Sequence, residues 1–290
     1  METFFNKILN LDRRWIFLSI FIATIVPFFF PLQLPVKVSE EVKTLYDYIE
    51  TLGPESKPIL ISFDYEPQTA AENHPMALAV LRHLHEREVK IVAITLMPAG
   101  SGLALAALDK TAGEYNAKHP DNPKVYGKDY VFMGYGAGFA LMMAKMGESF
   151  PNSFPKDYDG TPIKEIPLAS RIDNYDSVNM VLTFCGNRSY EYFISYGQAK
   201  HGVKVGAGMT AVMASDAYPY YGAGQLTGLI AGLKGAAEYE ELIGFRDEAF
   251  IGMDAQSITH ILIVLFIVIG NIAFFVTKGK ADKGRLSVRR

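Results

Sequence analysis

The chain contains the run Ile261-Leu-Ile-Val-Leu-Phe-Ile-Val-Ile-Gly-Asn-Ile-Ala-Phe-Phe-Val276, which is almost wholly aliphatic or aromatic. This run lies within residues 255–277, a stretch without Asp, Glu, Lys or Arg. At a helical rise of about 1.5 Å per residue, a segment of this length covers the roughly 30 Å hydrocarbon core of a bilayer. The run therefore predicts a transmembrane helix.

The residues that follow this run predict the orientation of the helix in the membrane. Residues 278–290 carry six basic side chains and one acidic side chain, Asp282. Basic segments beside a spanning helix stay in the cytoplasm. The sequence therefore predicts a basic cytoplasmic tail over residues 278–290.

A second charge-free apolar run occupies residues 15–36 and follows Arg13-Arg14. Arginines before an apolar run are typical of a signal sequence, but no Ala-x-Ala cleavage site follows, and Pro27, Pro31 and Pro35 crowd its outer end. The sequence favours a retained signal-anchor helix over residues 15–36, which Pro27 kinks or ends. Residues 1–14 are expected at the cytoplasmic side, as an interfacial amphipathic helix or as a loose leader.

The charge of the segment between the two runs supports the same topology. Of the 28 basic residues, three precede residue 36 and six follow residue 277, and of the 31 acidic residues two and one do so. Residues 36–277 therefore hold 19 basic and 28 acidic side chains, a net charge of −9. An acidic segment between basic flanks is expected outside the cytoplasm, and it argues against a nucleic-acid partner. We expect a two-pass protein of the cell (inner) membrane, with both termini cytoplasmic and an extracytoplasmic domain over residues 37–254.

The extracytoplasmic segment alternates apolar strands with helices. Continuous apolar runs at residues 57–63, 89–96, 129–133, 177–184 and 203–207 predict about five buried strands, and helical patterns separate them. Buried strands joined by helices are typical of a parallel sheet that is covered on both faces. The expected fold class is therefore α/β, a Rossmann-like, doubly wound, mostly parallel sheet. Cys185, the only cysteine, ends one of these runs and is expected to be a buried, inert thiol.

Ligands of such sheets lie at the carboxyl ends of the strands, so the segments that follow the strands hold the candidate sites. Gly134-Tyr-Gly-Ala-Gly138 follows a strand and opens a helix, where bare N–H groups could bind an anion or cofactor. It departs from the dinucleotide fingerprint, because the third glycine position falls on Phe139. Gly134, Gly136 and Gly138 are therefore weak binding candidates beside the simpler interpretation of a tight turn, and no cofactor is expected.

Ser101 lies in Met97-Pro-Ala-Gly-Ser-Gly102, between a strand and a helix that begins Leu103-Ala-Leu-Ala-Ala-Leu108. A serine at this position could act as a nucleophile with oxyanion donors from its own helix. This layout distantly resembles that of the signal peptide peptidase and Clp protease class, over about residues 58–110. The resemblance implies a serine nucleophile, but no second motif supplies the basic partner of that class. The alternative for Ser101 is a helix N-cap.

Acidic residues at the strand ends form a third candidate site. Asp64, after the first strand, and Asp216, after the last, could meet and act as general acid and base or hold a cation. The alternative is that both are solvated turn residues. His83 and His85 point about 200° apart on a helix, so no metal site is predicted.

The segment 218–240 is rich in small residues. Gly224, Gly228, Gly232 and Ala236 recur every four residues, which predicts one bare face on a long helix over residues 223–243. This face is expected to pack on the chain's own sheet or to form an interface with a neighbouring copy, and a ligand at its start, Gly222-Ala-Gly224, is the third alternative.

No complete set of catalytic residues appears in the sequence. The leading hypothesis is therefore a non-catalytic, membrane-anchored module that forms homo-oligomers or serves as an accessory subunit of a membrane complex. The rival is a membrane-anchored serine hydrolase, or a protein that binds a small ligand or anion at the carboxyl end of the sheet.

Overall fold

The computed structural model describes residues 9–32 and 34–287, with side chains described as far as Lys278. The chain divides into two compact units. Residues 35–249 form one unit, and the two chain ends, up to Leu34 and from Phe250, form the other. The expected helix of residues 1–14 lies largely outside the described residues.

The unit of residues 35–249 is built on a sheet of six strands, all parallel. The spatial order of the strands is β3-β2-β1-β4-β5-β6, so the order reverses at β1. This is the order described for doubly wound sheets, and it confirms the predicted α/β class. The strands are β1 Ile59–Asp64, β2 Ile91–Thr95, β3 Tyr130–Tyr135, β4 Met180–Cys185, β5 Lys204–Met209 and β6 Gly228–Ala231.

Helices cover both faces of the sheet. Those of this unit are α2 Glu40–Glu50, α3 Ala70–Glu86, α4 Ser101–Lys118, α5 Phe139–Glu148, α6 Phe150–Ser153, α7 Ser189–Phe193, α8 Ala199–His201, α9 Ala211–Gly222 and α10 Gly232–Leu242. A π-helical turn, Ile194–Gln198, joins α7 to α8. Helix α3 packs between α4 and α10, whereas α5 packs against α7. Because both faces are covered, every residue of β1, β2 and β4 is buried, which explains their continuous apolar runs.

The predicted helix over residues 223–243 is wrong. Residues 228–231 form β6, which pairs with β5, and the helix begins only at Gly232. The four-residue spacing of small residues imitates a helical face, but Gly228 and Gly232 serve separate close contacts. A Cβ atom on Gly228 would lie 2.5 Å from Leu45 Cβ, and one on Gly232 would lie 2.7 Å from Ala211 Cβ. The sheet therefore has a sixth strand, and the bare helical face does not exist.

Two further helices add to what the sequence predicts. Asp216, expected just after the last strand, lies on helix α9. Helix α3 begins at Ala70 and holds Pro75 in its interior. The missing Pro75 N–H leaves one intrahelical hydrogen bond unmade, and the packing of α3 between α4 and α10 compensates for that loss.

The unit formed by the chain ends contains α1, Arg13–Phe29, and α11, Glu248–Ser287, which starts in the last two residues of the other unit. Within the described part of the chain, the segment Glu248–Lys278 is the one helix that is long and apolar enough to cross a membrane. The N-terminal helix is shorter than the predicted span of residues 15–36: it has 17 residues and ends two residues after Pro27. The structure thus shows the C-terminal candidate span and does not show an N-terminal one.

Candidate functional site

Asp64 ends β1, the strand at which the sheet order reverses, and its side chain is fully buried. Its carboxylate accepts hydrogen bonds from Ser62 Oγ at 2.8 Å and from Thr183 Oγ1 at 3.1 Å. It also accepts the backbone N–H of Leu96 at 2.8 Å. Burial raises the pKa of Asp64, although these donors act in the opposite direction. The carboxyl group is therefore a satisfied interior group rather than a solvated acid of the sheet edge.

The crevice between the ends of β1 and β4 is filled by the chain itself. Asn187 Nδ2 donates to the Asp64 carbonyl oxygen at 2.9 Å, and the Gly186 N–H lies 3.3 Å from the same oxygen. A Cβ atom on Gly186 would lie 2.7 Å from Thr69 Oγ1. In doubly wound sheets this crevice is the usual place for a ligand, but here the segments after β1 and β4 close over it.

Asp216 lies on α9 and is half exposed, and its Oδ2 accepts a hydrogen bond from Arg188 Nη2 at 2.8 Å. In the described residues Asp64 is hydrogen-bonded to Ser62 and Thr183, whereas Asp216 is paired with Arg188, so the structure does not join the two acids as expected. Within the same residues, no group of three His, Cys, Asp or Glu side chains is placed to hold a metal ion.

Ser101 is the first residue of α4, and the N-cap position belongs to Gly100. Among the described residues, no side chain forms a hydrogen bond with Ser101 Oγ. Lys110, on the same helix, is ion-paired with Glu248 at 2.7 Å. The structure therefore brings no base to Ser101, and the N-cap interpretation is also wrong.

The glycine turn after β3 has a local structural role at each position. Gly134 and Gly138 have φ angles of +87° and +81°, which favour glycine, and Gly138 is the N-cap of α5. A Cβ atom on Gly136 would lie 2.9 Å from the Met142 side chain. These roles account for all three glycines without a bound anion.

Cys185, at the end of β4, is fully buried, as the sequence predicts. Burial raises the pKa of its thiol to about 12. The thiolate, which is the reactive form of cysteine, is therefore scarce at neutral pH.

A cavity that the sequence did not indicate lies among α2, α3, α4 and the segment that follows α10. Its volume is about 400 Å³, within the range of small-molecule sites. Most of its wall side chains are charged, aromatic or imidazole groups, including Tyr46, Glu50, Arg82, His85, Tyr115 and Phe245.

Arg82, on α3, is the most constrained charged group of this cavity. Its Nε and Nη2 donate to the two carboxylate oxygens of Glu114, at 2.7 and 3.1 Å, and Nη2 also donates to Asp247 at 2.7 Å. The Phe245 ring lies over the guanidinium, 4.3 Å from its central carbon. This fork fixes the orientation of Arg82, and it lowers the pKa of Glu114, which is therefore ionised at neutral pH.

His83, the next residue, bridges the interior and the surface. Its Nδ1 lies 2.8 Å from the Tyr239 hydroxyl, and its Nε2 lies 2.8 Å from Glu50 Oε1. Burial lowers the pKa of His83, whereas the hydrogen bond from His83 lowers the pKa of Glu50. A neutral imidazole beside an ionised carboxylate must donate from Nε2, so Nδ1 accepts the Tyr239 hydroxyl proton.

The sequence signal for this cavity is the run of polar side chains on an apolar helix. Arg82, His83 and His85 follow the apolar segment 76–81, and all three are buried. The two histidines face different neighbours: His83 stacks on Tyr46, and His85 lies beside Tyr115.

A second cleft, of about 570 Å³, lies at the amino-terminal edge of the sheet. Lys57, Lys90, Lys128 and Arg171 line it, with Glu55 and Asp176 as its acidic members. Lys57 Nζ donates to the Asp176 carbonyl oxygen at 2.8 Å. Apart from Lys90, the basic side chains are exposed, so this cleft is an open, basic surface.

No protein-family model, no curated protein and no solved structure matches this chain. Its function is therefore inferred from its own residues.

Proposed function

We propose that this chain is a membrane-anchored α/β module without catalytic activity, which acts in a homo-oligomer or as an accessory subunit of a membrane complex. The observation that carries this proposal is the apolar surface of α11. Only 6% of the most apolar 18-residue stretch of this helix is buried inside the protein. Large side chains such as Ile261, Val264 and Phe275 are exposed. A helix with such a surface needs an apolar surrounding, which a bilayer supplies.

A second anchor is part of the proposal. Helix α1 has 17 residues, the lower limit for a span, and exposes Trp15, Phe17 and Phe21. Thr24 Oγ1 and Thr259 Oγ1 lie 3.0 Å apart, so a hydroxyl hydrogen bond links α1 to α11. Such bonds join neighbouring helices within bilayers. Both observations support a two-pass arrangement in which α1 is the second anchor.

The proposed orientation follows from charge. Basic residues concentrate before α1 and after residue 277, whereas residues 36–277 carry a net charge of −9. The positive-inside rule then puts both termini in the cytoplasm and the sheet domain outside it, at the cell (inner) membrane.

The lack of a catalytic role is supported by the state of the candidate residues. Asp64 is buried and satisfied, Asp216 pairs with Arg188, and Ser101 has no hydrogen-bonding partner among the described residues. The rival proposal, a serine hydrolase or a ligand site at the carboxyl end of the sheet, has no observation of these residues in its favour. Its test is the pair Ser101→Ala and Asp64→Asn, which would have to abolish a hydrolytic or binding activity of the wild-type protein.

The glycine interface does not support the assembly proposal. Gly228 faces Leu45 inside the domain, and Gly232 faces Ala211. Assembly is therefore proposed from the anchors alone, with the bilayer and other membrane-protein subunits or copies as partners.

The test is purification of the full-length protein from native membranes in mild detergent, followed by crosslinking and native mass measurement. We expect a species larger than the monomer, composed of several copies or of this chain with another membrane protein. A monomer without any partner, in two detergents of different head group, would contradict the assembly role.

A further inference from the structure

The cavity among α2, α3 and α4 contains buried nitrogen atoms that have no hydrogen-bond partner among the described residues. Arg82 Nη1 and His85 Nε2 are both buried, and neither has a hydrogen-bond partner among the described residues. Both residues line the cavity, and their exposed fractions are 8% and 1%. A buried polar group without a partner costs about 1–3 kcal/mol, so an acceptor that enters this space is favoured.

The surrounding acids do not meet this need, because each already has a partner. Glu114 is held by Arg82, Glu50 by His83 and Arg87, and Glu86 lies 3.5 Å from His119. None of these acids forms a hydrogen bond with Arg82 Nη1 or His85 Nε2.

Lys118 adds a further cation at the rim. Its Nζ lies 5.0 Å from the centre of the Phe245 ring, and no carboxylate of the described residues is within ion-pairing distance of it. The side chain is exposed and mobile enough to follow a ligand.

Aromatic rings supply an apolar contact beside these donors. The centre of the Phe245 ring lies 4.3 Å from Arg82 Cζ and 5.0 Å from Lys118 Nζ, and Tyr115 and Tyr46 line the cavity.

We propose that this cavity binds a small organic anion, in which a carboxylate or phosphate group is attached to a planar apolar body. The oxyanion accepts hydrogen bonds from Arg82 Nη1 and the Lys118 ammonium group, and the planar body packs against Phe245 and Tyr115. The bound oxyanion thereby supplies the acceptor that Arg82 lacks. Because the cavity lies wholly within residues 35–249, the proposal does not depend on the membrane topology or on assembly.

The experiment uses the full-length protein in detergent micelles and three probes of similar shape: benzoate, phenyl phosphate and the neutral benzamide. Binding is measured by saturation-transfer NMR and by calorimetry. We expect saturable binding of benzoate or phenyl phosphate with a Kd of about 1 mM or tighter, the range for fragments of this size. The tighter of the two identifies the oxyanion class, and benzamide is expected to bind at least about tenfold more weakly.

Lys118→Gln is the main variant, because this exposed side chain can be replaced without disturbing the fold. It is expected to weaken binding of the anionic probe about tenfold, since a charge-assisted hydrogen bond is lost. Lys128→Gln, which changes an exposed lysine in the other cleft, is the matched control and is expected to leave binding unchanged. Arg82→Lys, checked for folding by circular dichroism, is expected to bind less tightly than the wild-type protein.

Three results would overturn the proposal. They are the absence of saturable binding of both anions at about 10 mM, equal binding of benzamide, and equal affinities of the Lys118→Gln and Lys128→Gln variants. In the first case water molecules alone are the hydrogen-bond partners of Arg82 Nη1 and His85 Nε2. None of these results bears on the oligomeric state, so they leave the proposed assembly role to its own test.

Discussion

Leu96 donates its backbone N–H to Asp64 Oδ1 over 2.8 Å, and this bond joins the end of β1 to the residue that follows β2. The same carboxyl group accepts from Ser62 on β1 and Thr183 on β4. Three neighbouring strands are thus tied at one buried acid, at the point where the strand order reverses. We conclude that Asp64 holds together the carboxyl ends of these three strands. The sequence had suggested a general acid or base, or a cation ligand, at this position.

Replacing Asp64 tests this structural role. Asp64→Leu leaves the Leu96 N–H and the two hydroxyl groups without their acceptor and is expected to destabilise the domain by about 3 kcal/mol or more. Asp64→Asn keeps an acceptor oxygen for Leu96 and is expected to cost less than about 1 kcal/mol. Thermal unfolding of the full-length protein in detergent measures the difference, and equal losses of stability in the two variants would contradict it.

The raised pKa of Asp64 predicts a specific pH dependence. An acid whose folded pKa lies above its unfolded value of 3.8 binds more protons in the folded state. Its contribution to stability is therefore complete below pH 3.8 and is lost as the pH rises through the folded pKa. We expect Asp64→Asn to remove this loss, which unfolding measurements of variant and wild type between pH 4 and pH 8 would show as a smaller fall in stability with rising pH. Parallel curves would contradict it.

A side chain at position 228 is expected to clash with helix α2. In Gly228→Ala the new Cβ atom would lie 2.5 Å from Leu45 Cβ and 2.9 Å from the Glu41 carbonyl oxygen, so α2 must shift away from β6. We expect destabilisation of about 1–3 kcal/mol, or a Tm lower by roughly 2–10 °C.

Gly222→Ala is the control for this change. Nothing lies within 4 Å of a Cβ atom at Gly222, and the residue ends α9. Alanine there is expected to be neutral or slightly stabilising. A Tm that is unchanged in Gly228→Ala would show that β6 and α2 do not pack as described.

Burial of His85 is expected to make the folding stability of the domain sensitive to acid. Burial lowers its pKa from 6.5 to about 4, so below pH 6.5 the unfolded chain binds a proton that the folded domain excludes. The stability that the neutral imidazole contributes is present above pH 6.5 and is lost as the pH falls towards 4. The full loss is about 3 kcal/mol. The His85→Phe variant, which cannot titrate, is expected to lose less stability than the wild-type protein between pH 7 and pH 4.5, and an identical loss in both would refute the assignment.

The sequence located most of the sheet because β1 to β5 are apolar runs between helical patterns. It missed β6, because Gly228 and Gly232 fall at a helical spacing for reasons that lie outside their own segment, in Leu45 and Ala211. Tertiary contacts of this kind are not visible in local periodicity.

The candidate sites could likewise be predicted only in part from the sequence. The sequence correctly placed Asp64 at a strand end, but its burial depends on Leu96 and Thr183, which are distant in the chain. The cavity beside Arg82 is built from four separate segments, so only the polar run on α3 could have indicated it. The sequence pattern identifies strand ends, whereas the side chains that converge on one place are determined by packing.

The orientation of the sheet domain is tested most directly by labelling intact cells with a membrane-impermeant maleimide. Cys185 is buried, so only introduced cysteines should react. We expect Ser170→Cys, at an exposed position of the domain, to be labelled in intact cells, whereas Lys283→Cys in the basic tail is labelled only after permeabilisation. Labelling of Lys283→Cys in intact cells, with Ser170→Cys protected until permeabilisation, would contradict it.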